Sequence, residues 1–194
     1  MNALTCLLHT HLYPKAIFQA STYINLPSHR CRHPEVQRYL NDSVRVAAAA
    51  IGEGGCKGLV LEFYCERSGQ ALENFVFTFM NTNSSLAFDA SGAGTAEADR
   101  ARLESGFRDI LLKIVLQPPL ELPSSTTFRV LLLPHDRAEA LNGSRTMGEA
   151  IRGGGWMREE DVMRERGVIR PLKGVKVESV GLVCQVYHER YNTD

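Results

Sequence analysis

Cysteine and histidine side chains, which most often bind zinc or act as nucleophiles in proteins, are concentrated in the first 33 residues. They form two groups, Cys6, His9 and His11 followed by His29, Cys31 and His33. Six nitrogen and sulfur ligands could converge on one zinc ion, but these spacings match no common zinc site. We therefore expect no bound metal, and a small zinc enzyme stays open as an alternative of another class.

Cys31 is the cysteine whose neighbours best suit a nucleophile. Arg30 and Arg32 flank it and would favour the thiolate form. However, the sequence offers no evident oxyanion site and no group that would orient a histidine base. It also contains no Walker loop, dinucleotide fingerprint, nucleophile elbow or HExxH helix. We predict a protein with no catalytic residue and no cofactor, and keep a thiol enzyme as the alternative.

Composition sets limits on the kind of partner. The chain has 194 residues, of which 44% are hydrophobic, and its 22 basic residues balance its 22 acidic ones. This composition is typical of one globular domain, and a neutral molecule lacks the positive field that direct nucleic-acid binding requires. Five scattered cysteines without a secretory signal favour free thiols in the nucleus or cytoplasm. No stretch reaches the length of a membrane span.

The elements that would position these groups begin with a helix that ends before Pro14. A short strand is predicted over 16–24, and the second cysteine-histidine group is assigned to a turn. The next helix is predicted over 33–51, with a proline in its first turn and Gly52 after its last. Its apolar face is formed by Val36, Tyr39 or Leu40, Val44 and Ala47.

The middle of the chain predicts a hairpin followed by a helix. Two strands, over 59–65 and 73–80, surround a turn, and Phe75, Phe77 and Phe79 alternate in the second of them. Residues 81–95 are small and polar, as in a surface loop. A helix over 96–116 has apolar residues at helical spacing and ends at a pair of prolines.

The last third predicts strands separated by a long polar segment. One strand is expected over 126–133 and a further strand-like run over 175–187. The polar segment between them contains the triplet Gly153 to Gly155 and the tryptophan Trp156. Together these elements predict an α+β domain whose helices pack on one face of a mainly antiparallel sheet.

Three runs of residues, in this order along the chain, resemble the HORMA-domain family. They are Leu12-Tyr-Pro-x-x-Ile-Phe-Gln19, Cys31-x-His-Pro-Glu-Val-Gln-x-Tyr39 and Glu73-x-Phe-Val-Phe77. Runs at 107–114, 170–173 and 185–190 extend the likeness almost to the C-terminus. Within the family the chain is most like the branch that forms the mitotic-arrest-deficient-like accessory subunit of translesion DNA polymerase zeta.

The resemblance implies a single HORMA domain over 1–194, with a core at about 1–135 and a C-terminal safety belt at about 136–194. The belt would cross over a bound peptide and lock it against the sheet edge, with Gly153 to Gly155 as hinges. By family position, Tyr39 and Trp156 would line the site for a Pro-containing segment of the catalytic subunit of polymerase zeta. Judged by residue type alone, Tyr39 could equally close the core face of its helix, and Trp156 could pin a loop.

The resemblance also implies further contacts. Ile169, Gln185 and Tyr187 match a surface that docks the C-terminal domain of a Y-family scaffold polymerase, and Val168 could replace Ile169. Arg108 matches a helix arginine used when two HORMA domains pair. An AAA+ ATPase remodels members of the family by pulling on the N-terminal segment, and here the first helix is expected to lack its beginning.

These likenesses imply a non-enzymatic adaptor in translesion synthesis and DNA repair, located in the nucleus and also compatible with the cytoplasm. It would bridge an extending polymerase to a scaffold polymerase without touching DNA itself. A spindle-checkpoint or meiotic chromosome-axis adaptor is the alternative with the same fold.

Overall fold

The computed structural model describes residues 2–53, 55–81, 93–118, 121–134, 168–177 and 182–191. Within these ranges the helices are α1 (Asn2–His11), α2 (Pro34–Gly52) and α3 (Ala93–Val115). The strands are β1 (Phe18–Tyr23), β2 (Leu26–Cys31), β3 (Cys56–Cys65), β4 (Ala71–Asn81), β5 (Thr126–Pro134), β6 (Val168–Val177) and β7 (Leu182–Arg190). The predicted α+β class is confirmed.

The main sheet has five strands in the order β5-β3-β4-β7-β6, and every neighbouring pair is antiparallel. The predicted hairpin is the β3–β4 pair at its centre. The first two strands, β1 and β2, form a separate antiparallel hairpin. Strands β5 and β6 therefore stand at the two ends of the sheet, and β7, from late in the chain, lies between β4 and β6.

The three helices contribute to one core against one face of the sheet. Phe75 and Phe77 of β4 are buried there, as the alternation of phenylalanines predicts, and Phe63 of β3 packs edge-on against Phe75. Leu40 of α2 and Ile114 of α3 complete this core. None of the helices in the described ranges is both long enough and apolar enough to cross a membrane.

Strand β7 is fastened to β4 by a polar contact inside this core. Glu73 and His188 are both buried, and the Oε1 atom of Glu73 lies 2.5 Å from the Nε2 atom of His188. The imidazole ring of His188 stacks on Phe75 with a centroid separation of 4.7 Å. A buried hydrogen bond and a ring contact thus join strands that lie far apart in the sequence.

Strand β2 replaces the turn predicted around Cys31, and that prediction is wrong. The chain reverses at Ile24 and Asn25, whose φ angles are +49° and +56°, so a two-residue turn joins β1 to β2. Glycine and asparagine are the usual signals of such a turn, whereas a β-branched residue rarely adopts positive φ. The turn was not predicted because Ile24 is an unusual turn residue. The strand β2 was not predicted because it contains Pro27, which lies opposite Thr22 of β1 and lacks a backbone N–H.

The strand-like run predicted over 175–187 belongs to two strands rather than one. β6 ends at Val177 and β7 begins at Leu182, and the two pair side by side from Val168 opposite Arg190 to Val177 opposite Leu182. Apolar residues continue up to both strand ends, so the hydrophobic pattern shows no break. The loop predicted over 81–95 is wrong at both ends, because Asn81 is the last residue of β4 and α3 begins at Ala93. Its middle, residues 82–92, and the polar segment over 135–167 lie outside the described residues.

Candidate functional site

Within the part of the chain that the structure describes, the outer side of β5 is an open strand edge. Leu61 of β3 lies opposite Val130 at the middle of β5, but the backbone N–H of Val130 is donated to the hydroxyl of Tyr39 in α2, 2.9 Å away. Because backbone groups in an antiparallel pair point to alternate sides, Phe128 and Leu132 also direct their N–H and C=O groups outward. Among the described strands, none pairs with this side of β5. Such an edge can accept an added strand.

Tyr39 of α2 stands beside this edge, and its role in lining a peptide site stays a prediction. Its residue is 39% exposed, and its ring packs edge-on against Phe128 with centroids 5.6 Å apart. Burial raises the pKa of its phenol, so the hydroxyl stays protonated near neutral pH. Tyr39 and Phe128 together form an aromatic border along the open edge.

A buried ion pair holds β5 to β3 on the opposite face of the sheet. The carboxylate of Glu62 is fully buried and accepts a hydrogen bond from Nε of Arg129. The guanidinium carbon of Arg129 lies 4.5 Å from the ring centroid of Tyr64. Sequence analysis missed this cluster, because Glu62 and Arg129 become neighbours only through the register of the two strands.

Gln185 and Tyr187 share one face of β7, as predicted from their spacing. The hydroxyl of Tyr187 donates a hydrogen bond to Oε1 of Gln185 at 2.5 Å, and both residues are partly exposed. Glu189 continues the same face and accepts a hydrogen bond from Nδ2 of Asn74 at 3.1 Å. This polar face lies over β4 and β7, on the side of the sheet away from the main core.

The remaining predicted site residues are placed as follows. The register puts Ile169 opposite Glu189 and Val168 opposite Arg190. The backbone position of Ile169 is therefore on the strand next to Tyr187, two residues along from the residue opposite it. Arg108 is exposed on α3. Trp156 lies outside the described residues, together with Gly153 to Gly155. The structure therefore brings Gln185 and Tyr187 together, while the roles of all the predicted site residues stay predictions.

The two cysteine-histidine groups of the N-terminal region are in contact through some of their members only, Cys6 and His9 from the first group and His29 from the second. His9 of α1 and His29 of β2 stack with centroids 3.5 Å apart and planes 9° apart, and the thiol of Cys6 accepts a hydrogen bond from the backbone of His29. Imidazole lone pairs lie in the ring plane, so two parallel stacked rings do not aim at one ion. Within the described residues, no three or more histidine, cysteine or acidic side chains are grouped to hold a metal.

The cysteines are all free thiols, and Cys31 is buried in the main core, where a substrate has no direct access. Cys65 differs from the others. Its side chain contacts Ser125 Oγ at 3.4 Å, and this hydrogen bond, with others from the Arg67–Ser68 turn, lowers the pKa of the thiol to about 6. Sequence analysis missed Cys65, since Ser125 is 60 residues away.

Comparison with known proteins gives one curated sequence relative. The DNA polymerase zeta processivity subunit of Arabidopsis thaliana is 25% identical over 177 residues, which cover 91% of this chain and 75% of that protein. No family model matches the chain.

Comparison with solved structures identifies the fold. A chain of the mitotic checkpoint complex superposes with a TM-score of 0.72 at 16% identity, covering 98% of this chain and 93% of that one. HTP-2 of C. elegans bound to HTP-3 motif-6 superposes with a TM-score of 0.68 at 15% identity, covering 99% and 87%. These neighbours are HORMA-domain proteins. The chain thus has the fold of these HORMA-domain proteins, and its sequence is similar to that of the processivity subunit of DNA polymerase zeta.

Proposed function

We propose that this protein is a non-enzymatic adaptor that captures an extended segment of a partner protein along β5. The open outer edge of β5, bordered by Tyr39 and Phe128, is the observation that carries the proposal. An added strand gains backbone hydrogen bonds whatever its sequence, and the aromatic side chains select what lies over them. Solved proteins with this fold include HTP-2 bound to a motif of HTP-3, which supports peptide capture.

The captured partner is a Pro-containing segment of the catalytic subunit of DNA polymerase zeta. The likeness to a processivity subunit of that polymerase supports this choice. Proline suits the site because Tyr39 presents a partly exposed aromatic ring against which a pyrrolidine ring can pack. Trp156 contributes a second ring, and residues 136–194 act as the belt that closes over the segment.

The face formed by Gln185 and Tyr187, with Ile169 in register, docks the C-terminal domain of a Y-family scaffold polymerase. Two sites on one domain make the protein a bridge between an extending polymerase and a scaffold in translesion synthesis and DNA repair. The bridge operates in the nucleus. Two further contacts belong to the proposal: pairing with a second HORMA domain through Arg108, and remodelling by an AAA+ ATPase that acts on the N-terminal segment.

The test is co-purification of the chain with Pro-containing fragments of the polymerase zeta catalytic subunit from the same source. Wild type is compared with Tyr39→Ala and Trp156→Ala, and each variant is first checked for native circular dichroism. We expect a slowly dissociating complex that either substitution weakens about tenfold or more, because buried aromatic anchors carry most of the binding energy at interfaces.

Tyr23→Ala is the matched control, because Tyr23 is similarly exposed at 43% but lies in the β1–β2 hairpin. It should leave binding unchanged. A folded wild-type protein that binds no fragment would contradict the proposed partner. A spindle-checkpoint or meiotic-axis adaptor would then be favoured, since solved neighbours of this fold come from the mitotic checkpoint complex and from an HTP-2 complex.

A further inference from the structure

The hydroxyl of Tyr39 occupies the central hydrogen-bonding position of the open edge. Val130 is the fifth of the nine residues in β5, and its outward N–H is donated to Tyr39 Oη at 2.9 Å. This distance is the usual N···O separation between paired strands. The oxygen of Tyr39 therefore stands where the carbonyl oxygen of an added strand would be.

We propose that the Tyr39 hydroxyl caps the edge of β5 and has to leave Val130 before a captured strand can pair across the middle of that edge. The inference rests on the proposed capture of a segment by β5. It separates two roles within one side chain: the ring provides contact area for the captured segment, while the hydroxyl competes with that segment for Val130.

The position of Val130 makes the competition hard to avoid. Phe128 and Leu132, two residues away on either side, carry the other outward N–H groups at the centre of β5. A strand that used both of them in regular register would pass directly over Val130 and meet the tyrosine oxygen. The added strand therefore has to displace the hydroxyl, or it can pair with only one half of β5, on one side of Val130.

The ring itself does not need to leave. It packs edge-on against Phe128, which is independent of the hydroxyl and borders the same edge. Because the hydroxyl oxygen lies on the long axis of the ring, it moves away from Val130 when rotation about χ1 tilts the ring, and a small tilt is enough to break the hydrogen bond while the ring stays beside the strand. Removing the hydroxyl alone, with the ring kept, is therefore the substitution that isolates the cap.

The first experiment measures association and dissociation of Pro-containing peptides from the polymerase zeta catalytic subunit with wild type and Tyr39→Phe. Without the hydroxyl, a captured strand no longer displaces one protein hydrogen bond. We expect Tyr39→Phe to bind about three- to tenfold more tightly, mainly through faster association. This is the opposite direction from Tyr39→Ala, which also removes the ring.

Tyr23→Phe is the matched control, because it removes a hydroxyl from a similarly exposed tyrosine away from β5. It should leave both rates unchanged. Equal or weaker peptide binding by Tyr39→Phe, relative to wild type, would overturn the cap. If neither wild type nor Tyr39→Phe binds any peptide, the proposed capture of a segment by β5 is wrong. The role of the hydroxyl in that capture is then wrong too.

A second experiment tests the cap without any peptide. Amide hydrogen exchange at Val130 is measured in the unbound protein, for wild type and for Tyr39→Phe. We expect exchange at Val130 to be about two- to tenfold faster in the variant, with Leu131 unchanged, because only the outward amide loses its acceptor. Equal exchange at Val130 in both proteins would show that the hydroxyl does not cap the edge.

Discussion

The stacked pair His9 and His29 joins α1 to the β1–β2 hairpin. Phe18 packs edge-on against His9 with ring centroids 5.1 Å apart, and Lys15 and His29 are titratable groups close to it. Burial lowers the pKa of His9, and the nearby positive charge of His29 and Lys15 lowers it further. Protonation of His9 is therefore less favourable in the folded protein than in the unfolded chain.

This shift predicts a loss of stability in acid. The folded pKa of His9 lies below its unfolded value of about 6.5, so its contribution is complete above that pH and is lost as the pH falls through the folded value. The urea concentration at the unfolding midpoint should fall for wild type between pH 7.5 and pH 5. We expect a smaller fall for His9→Gln, because the substitution removes the titrating imidazole. His33→Gln, at an exposed histidine, should keep the wild-type pH dependence. If both variants behave alike, His9 is not the group responsible.

At the same scale, sequence reasoning located Tyr39 but not its contact. The helical pattern placed Tyr39 beside the apolar face of α2, and the structure confirms that helix within one residue at each end. Its partner Val130 is 91 residues further along the chain. Periodicity reports only neighbours within an element, so the cap at β5 could not be predicted from spacing.

At the scale of elements, the pairing of β3 with β5 decides whether the candidate edge exists. The buried pair of Glu62 and Arg129 spans these two strands, and Glu62 has no exposed surface. Removing one member of a buried ion pair leaves the other charge in a poorly solvated position, whereas replacing both by apolar residues does not.

Arg129→Met should therefore lower the free energy of unfolding by about 3 kcal/mol. Adding Glu62→Leu should restore it to within about 1 kcal/mol of wild type, as measured by urea denaturation. The matched control is Arg45→Met, which breaks an exposed pair with Asp42 and should cost less than about 0.5 kcal/mol. Additive losses in the double variant would contradict this account.

The β3–β4 hairpin depends on one close backbone approach. A Cβ atom added at Gly58 would lie 2.0 Å from the carbonyl oxygen of Phe77, which is backbone and cannot rotate away. We expect Gly58→Ala to lower the free energy of unfolding by about 3 kcal/mol, measured by urea denaturation. Gly52→Ala, where a Cβ would have no neighbour within 4 Å, should leave the stability nearly unchanged. A Gly58→Ala protein of wild-type stability would show that β3 can shift.

Element prediction succeeded where local chemistry agreed with the fold. Pro34 in the first turn of α2 and the alternating phenylalanines of β4 marked their elements correctly. Prediction failed at β2, because Ile24, in the turn before this strand, adopts a positive φ that β-branched residues rarely take. The turn between β1 and β2 is stabilised by packing of the whole hairpin, which local residue types do not report.

On the scale of the whole molecule, the two proposed binding surfaces are separate. β5 and β7 are three strand spacings apart in the order β5-β3-β4-β7-β6, which is about 14 Å. The polar face with Gln185 and Tyr187 is also on the other side of the sheet from the ring of Phe128. Substitutions at one surface should leave the other unaffected.

Tyr187→Ala is therefore expected to weaken docking of the Y-family scaffold polymerase by about tenfold while leaving peptide capture unchanged. In combination with Tyr39→Ala, the losses in the two binding assays should be independent, because distant sites act additively. Isothermal titration with each partner separately would check this. Loss of both activities in the folded Tyr187→Ala protein would contradict the two-surface model.

The place of β7 in the sheet has a consequence for synthesis on the ribosome. Glu73 of β4 pairs with Arg190 of β7, so the two strands that share this ladder are translated more than a hundred residues apart. Until residue 190 has left the exit tunnel, the inner edge of β4 has no neighbour on that side, and its phenylalanines lie next to unpaired backbone. Such contacts between distant residues slow folding and expose a strand that aggregates. The β4 edge therefore stays unpaired in the nascent chain until β7 has been made and has emerged.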